Sequence, residues 1–209
     1  MTISWFGLSS FKITGKDITI ITDPFGSKSG LTPVRGAADV IVSTNPEHPW
    51  CNSFSSVSST PFIISGPGEF DIKGAFIIGA PAENKELGAS TIYAIEIEDV
   101  RLAFIGPIQQ TQLTEPQQQI MEGADIVLVP VGNKQVLDYE SAARIATQLE
   151  PFIVIPHSFK IPKLDADLDK IDKFLKEMGS KSEEMEKLTI KKKDLSGEGS
   201  RLVILTPMR

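Results

Sequence analysis

The chain has 209 residues, of which 41% are hydrophobic and 23% charged, and its formal net charge is -6. That is ordinary globular composition, long enough for one large domain or two small ones with a substantial core. An acidic chain lacks the basic face that phosphate-contacting nucleic-acid binders use, and no apolar run approaches the ~20 residues of a membrane span. Cys51 is the only cysteine, so no internal disulfide forms and a reducing, cytoplasmic setting is expected. Residues 1–15 lack the basic start and long apolar core of a secretory signal. The one dense basic run, Lys191 to Lys193, sits among acids and reads as a solvated strand end.

Strands joined by tight turns are expected first. Ile3 to Phe6 is a short apolar run. Ser10 to Thr14 alternates, and Ile18 to Thr22 follows across the turn Gly15-Lys-Asp17, a hairpin signal. Asp23-Pro24-Phe25 ends it, and residues 26–36 are loop. The β-branched run Val40 to Val42 reads as a buried strand. It breaks into a polar loop punctuated by Pro46 and Pro49 that holds His48, one of two histidines. Ser53 to Thr60 is too serine-rich for a firm helix. Pro61 to Ile64, Gly68 to Ile72 and Gly74 to Gly79 read as strands, Ala80 to Ala89 as polar loop, and Ser90 to Ile97 with Arg101 to Ile105 as a second hairpin.

Helix and strand then alternate. Thr114 caps a short helix toward Met121, with Pro116 in its first turn. Asp125 to Pro130 is apolar on both faces, as a covered strand is. Asp138 caps a helix over Tyr139 to Leu149, and Phe152 to Ile155 is the next covered strand, ending at Pro156-His157. Asp167 to Met178 shows a helical stripe of Leu168, Ile171, Phe174, Leu175 and Met178, with Gly179 as its stop. Lys187 to Ile190 and Leu202 to Thr206 close as strands, with Ser196 to Ser200 as the turn between them. With no repeat and no linker, the expectation is one domain over residues 1–209: an α/β (α+β) fold of two packed sheets with helices outside.

Several words in this order resemble the metallo-β-lactamase superfamily, and its small subgroup of ascorbate-6-phosphate-lactonase-like, Zn-dependent hydrolases in particular. Gly7-Leu-Ser-Ser-Phe11 is similar to the family's Gly-His-Ser-x-Phe, and Thr22-Asp-Pro-Phe25 to its Asp-Pro-Phe strand end. Ala38 to Thr44 resembles the strand entering its metal loop, and Phe104-Ile-Gly-Pro107 its apolar-x-Gly-Asp. Asp125 to Gly132 and Val154 to His157 resemble its last two core strands. The resemblance implies a four-layer αββα sandwich. It also implies zinc-assisted hydrolysis, in which metal held by His-x-His-x-Asp-His and later His and Asp residues activates a water.

Laid onto that pattern, Asn45, Glu47, Pro49 and Trp50 stand at the four loop ligands, and Pro107 replaces the bridging Asp. The later-loop His falls near Glu83-Asn84, and only His157 is retained. Proline offers no side-chain ligand and indole only an N–H. No standard dizinc centre is therefore expected, and no cofactor. Candidate groups remain, each with a plainer reading beside it. His48 is a ligand or general base, or a solvated loop histidine. His157 is catalytic, or bonded to a backbone group or Asp23. Asp23 orients that histidine or binds a cation, or caps a turn. Glu47 joins Asp23 around a hard cation, which oxygen ligands suit, or is solvated. Cys51 packs inertly for want of a basic neighbour, and Ser158 has no third partner for a triad. Pro49 and Trp50 read as an apolar filling of the space metals would take. Gly66-Pro-Gly68 is a turn, without the Lys-Ser/Thr of a phosphate loop.

The sequence thus points to a non-catalytic binding or scaffold protein on a hydrolase fold. The alternatives are a hydrolase of a phosphate ester or lactone, with Glu47, His48, Asp23 and His157 converging on a single-metal or metal-free site, and a subunit-interface protein that forms homo-oligomers. The partner is not legible.

Overall fold

A computed structural model describes every residue except Ser180, Glu198 and Arg209. The chain opens with β1 (Thr2–Gly7), β2 (Ser10–Thr14), β3 (Thr19–Thr22), β4 (Val40–Val42) and β5 (Phe62–Ile64). β6 (Gly68–Ile72), β7 (Ala75–Asn84), β8 (Gly88–Ile97) and β9 (Val100–Phe104) follow with no α-helix between them. Then come α1 (Glu115–Met121), β10 (Ile126–Pro130), α2 (Tyr139–Gln148), β11 (Ile153–His157) and α3 (Asp172–Met178). β12 (Ser182–Met185), β13 (Lys187–Thr189) and β14 (Arg201–Leu205) close it.

The strands form two mixed sheets. One runs β13-β1-β2-β3-β4-β5 and the other β12-β14-β11-β10-β9-β8-β7-β6. Their inner faces share one apolar core, in which Phe11 of the first sheet meets Phe104 of the second edge-on at 6.4 Å. β10 and β11 are buried along their whole length, as their unbroken apolar runs require. The helices layer against the larger sheet and start where the sequence places them. The Gln117 side chain accepts the Thr114 N–H at 2.8 Å, and Asp138 accepts the Ser141 N–H at 2.8 Å. Beside the smaller sheet the outer layer is thin. The β3–β4 and β4–β5 connections carry only 3₁₀ turns at Ser27–Ser29 and Phe54–Ser56.

Three expectations change, and one strand is added. Ala80 to Ala89 is not loop: β7 and β8 pair in register from Ala75↔Ile97 to Asn84↔Gly88. Ala80, Ala82 and Asn84 alternate inward, while Pro81 sits beyond the β6 pairing, where no ladder needs its missing N–H. The helix expected from Asp167 begins only at Asp172. The preceding residues are drawn to the loop after β10 instead, the Asp169 N–H donating to Gly132 O at 2.6 Å. The charged segment Ser182–Met185 forms β12, pairing parallel to β14. β13 and β14 are not partners across the 196–200 turn, of which Glu198 lies outside the described residues. β13 pairs with β1, and β14 with β11 and β12.

This topology gathers strand ends. β3 and β4 run parallel, as do β9, β10 and β11, so the segments after them open at one mouth. The two sheets approach closely there. A Cβ on Gly106 would lie 2.5 Å from Thr44 Cγ2, so only glycine lets the loop after β9 pass the loop after β4. Gly106→Ala is expected to lose about 1–3 kcal/mol of stability to overpacking, read from denaturant melts. An unchanged midpoint would contradict so tight an approach.

Candidate functional site

The loop after β4 is a self-closed pair of turns. Asn45 Oδ1 accepts the Glu47 N–H at 3.0 Å, the His48 N–H donates to Asn45 O at 3.2 Å, and the Cys51 N–H to His48 O at 2.9 Å. Asn52 Nδ2 spans it, donating to Pro46 O at 3.0 Å. This winding turns Glu47 and Pro49 outward to solvent and leaves His48 and Trp50 half-buried. His48 Nδ1 accepts the Trp50 N–H at 3.3 Å, and its ring meets the indole edge-on at 5.0 Å. Partial burial lowers its pKa, so it is a neutral turn anchor. The apolar filling expected of Pro49 is corrected, because that proline is exposed. Trp50 packs at the margin of the core.

Beneath the loop lies a buried polar cluster. Asp23 is fully buried at a left-handed φ of 37°. Its carboxyl accepts the Thr44 N–H at 2.7 Å and the Thr44 hydroxyl at 2.7 Å. Burial raises its pKa to about 7, against the lowering effect of those bonds. Cys51 Sγ lies 3.5 Å from Thr44 Oγ1, and burial together with the neighbouring carboxyl holds its thiol well above the usual range. Ser9 lies against the carboxyl without a hydrogen bond of regular geometry. Thr44 in turn ties the sheets together, its carbonyl accepting the Thr91 N–H at 2.8 Å. The Tyr93 hydroxyl donates to Ser43 O at 3.0 Å beside it.

His157 ends β11, fully buried between Phe11 and Phe104. Nε2 lies 3.0 Å from Ile105 O and Nδ1 2.9 Å from Ser158 Oγ. A carbonyl only accepts, so Nε2 carries the proton and Nδ1 accepts from the serine hydroxyl. Desolvation lowers its pKa to about 3, more than the Ile105 bond raises it. Both ring nitrogens are taken by the protein itself, the second by Ser158 and not by Asp23. The four residues named for a remodelled hydrolase site each have surroundings of their own. Asp23 and His157 are each sealed in their own bonds, His48 faces Trp50, and Glu47 faces solvent.

Sequence reasoning marked the ligand positions as lost but missed what their occupants do. Asn84, 3% exposed at the end of β7, uses its whole amide. Nδ2 donates to Pro107 O at 2.7 Å and Gln135 O at 3.0 Å, and Oδ1 accepts the Glu86 and Leu87 N–H groups at 2.9 and 3.0 Å. Asn45 Nδ2 reaches the same hairpin tip, donating to Leu87 O at 2.6 Å. Gln109 Nε2 donates to Lys134 O at 2.6 Å, while its oxygen accepts the Lys85 N–H at 3.1 Å. Four segments, after β4, at the β7–β8 tip, after β9 and after β10, are thereby stitched by neutral amides. A resident metal does not fit this donor set. The Asn45 and Asn84 oxygens are committed to backbone N–H groups, Pro107 has no side-chain ligand atom, and the ring lone pair of His157 accepts a hydroxyl. Among the described residues no three His, Cys, Asp or Glu side chains are grouped to hold a metal ion.

Comparison with known proteins places this architecture. Residues 2–158 match the family described as the β-lactamase superfamily domain. A "UPF0173 metal-dependent hydrolase" of Salinibacter ruber is 25% identical over 223 residues, covering 86% of this chain and 94% of its own. A solved Thermotoga maritima structure, described as a Zn-dependent hydrolase of the metallo-β-lactamase superfamily, superposes with a TM-score of 0.82 at 26% identity. That match covers 98% of this chain and 97% of the other. A metal-dependent hydrolase structure from Parabacteroides distasonis shares the fold at a TM-score of 0.69 and 17% identity, covering 97% and 91%.

Two outcomes are expected. Asn84→Ala strands two carbonyls and two N–H groups, so it loses about 1–3 kcal/mol and makes residues 84–88 more susceptible to limited proteolysis; an unaltered cleavage pattern would count against the clamp. The buried Asp23 and His157 pull stability in opposite directions with pH. Asp23, raised to about 7, contributes stability that is full below its unfolded value of 3.8 and is lost as pH rises through 7. His157, lowered to about 3, contributes stability that is full above its unfolded value of 6.5 and is lost as pH falls toward 3. Compared with wild type, the melting temperature of Asp23→Asn should climb more steeply from about pH 4 to 7, and that of His157→Gln less steeply over the same span. Curves parallel to wild type would refute both assignments.

Proposed function

The chain belongs to the β-lactamase superfamily, a fold of metal-dependent hydrolases, and from that premise we propose that this member has exchanged hydrolysis for binding, as a non-catalytic scaffold protein working as one domain over residues 1–209. One observation carries the reading: the positions at which the family pattern puts metal ligands hold Asn45, Asn84 and Pro107, and the amides are spent on backbone groups. A metal-dependent hydrolase needs a polarised water and an open coordination position beside the scissile group. Here the side-chain amides of Asn45 and Asn84 are spent on backbone groups, and the chain's histidines are neutral anchors. Neutral amides hold the loops without the desolvation cost that buried carboxylates would carry in the absence of a cation. Among the described residues no helix is long and apolar enough to cross a membrane; the cytoplasmic setting in this reading rests on the single cysteine.

Elemental analysis of protein purified without chelator tests this, together with hydrolysis of bis(p-nitrophenyl) phosphate and a simple lactone with zinc or manganese supplied. The expected result is far less than stoichiometric metal and turnover at the uncatalysed rate. One or two tightly held zinc ions per chain, with metal-dependent turnover, would overturn it in favour of a remodelled hydrolase.

A further inference from the structure

The sandwich ends in four edge strands, and they are not protected alike. β12 exposes Glu183 and Glu184, β13 exposes Lys187, and β6 exposes Glu69 and Asp71. Such charges are how natural sheets keep an edge from pairing with another chain. β5 carries none. Phe62 is 54% exposed and Ile63, pointing to the opposite face, is 43% exposed. The backbone of β5 is half used. Paired parallel to β4 alone, it gives the Phe62 N–H to Asp39 O and takes the Ser43 N–H on Ile64 O, each at 2.8 Å. Alternation along the ladder therefore turns the N–H and C=O of Ile63 away from the sheet.

We propose that this edge is a self-association surface, on which two copies pair their β5 strands antiparallel about a twofold axis through Ile63. The pattern is self-complementary: across such an axis each Ile63 exchanges both backbone bonds with its mate, forming one ladder through two sheets. The flanking charges fit the same arrangement. β6 runs back along β5 after the turn at residues 65–67, with Phe70 beside Phe62 at 6.3 Å. Lys73, just past the end of β6, bonds Asp39 at 2.6 Å and so lies toward the start of β5, whereas Glu69 lies toward its end. An antiparallel mate brings Lys73 of one copy over Glu69 of the other, twice. Pro61 has no N–H and confines the pairing to a short stretch. The apolar area offered is well below the ~800 Å² per partner of a standard interface, so the dimer is reversible, with a dissociation constant on the order of micromolar.

This inference stands apart from the loss of hydrolysis, because sedimentation and metal content are read independently. Analytical ultracentrifugation of the full chain from about 1 to about 500 μM tests it. Wild type is expected to shift from monomer to dimer with concentration. Ile63→Lys is expected to stay monomeric with a nearly unchanged melting temperature, Phe62→Glu to stay monomeric with a small loss from its Phe70 contact, and Glu69→Lys to weaken association several-fold. A wild-type monomer at every concentration, or a dimer that the β5 substitutions leave intact, would overturn the proposal. Association unaffected by Glu69→Lys would overturn the antiparallel arrangement.

Discussion

The saturated amide of Asn84 is the interaction on which the mouth of this sandwich depends. One side chain at the tip of the β7–β8 hairpin bonds backbone groups from its own turn, from the loop after β9 and from the loop after β10. An amide can do this because it offers two donors and a two-lone-pair acceptor in one plane and carries no charge to desolvate. An imidazole, by contrast, offers one lone pair and one N–H when neutral, and could not bond four backbone groups at once. In this chain the joining is done by covalently attached, neutral groups, and Asn45 and Gln109 extend it to the flanking segments.

The layer below explains how the polar strand ends survive burial. Asp23 would be costly as a buried anion, yet two bonds from Thr44 and a nearby thiol surround it, and its raised pKa keeps a large protonated fraction near neutrality. Thr44 passes the constraint across the sandwich through its carbonyl to Thr91, and Gly106 makes room for it. His157 answers from the other sheet as a neutral ring between two phenylalanines. The acid and the histidine are both shifted away from their solution charge, the histidine fully neutral and the acid partly so near pH 7.

Much of the architecture is legible in the sequence where periodicity and punctuation agree. The first hairpin, the covered strands β10 and β11, and the caps Thr114 and Asp138 all fall where the residues put them. The β7–β8 tip is hidden because Pro81, Glu83, Lys85 and Glu86 resemble loop, and only register shows that Ala80, Ala82 and Asn84 alternate inward. The start of α3 is hidden because a helical stripe from Leu168 competes with tertiary bonds to Gly132 and Asn133. At the site, the sequence shows Asn45 and Pro107 where the resemblance implies metal ligands. The work done by Asn84 cannot, because an asparagine in a polar stretch gives no sign of which distant carbonyls it will meet. The exposure of Pro49 is missed for a related reason: residue type says what a side chain prefers, and the turn built by Asn45 decides where it points.

Hydrogen exchange of the mouth, with and without zinc, tests most directly whether the amides hold these loops without a metal. The account predicts that the backbone N–H groups of Glu86, Leu87 and Lys85 are protected in metal-free protein and that added zinc leaves their exchange unchanged. Rapid exchange at these positions that slows only when zinc is supplied would contradict it.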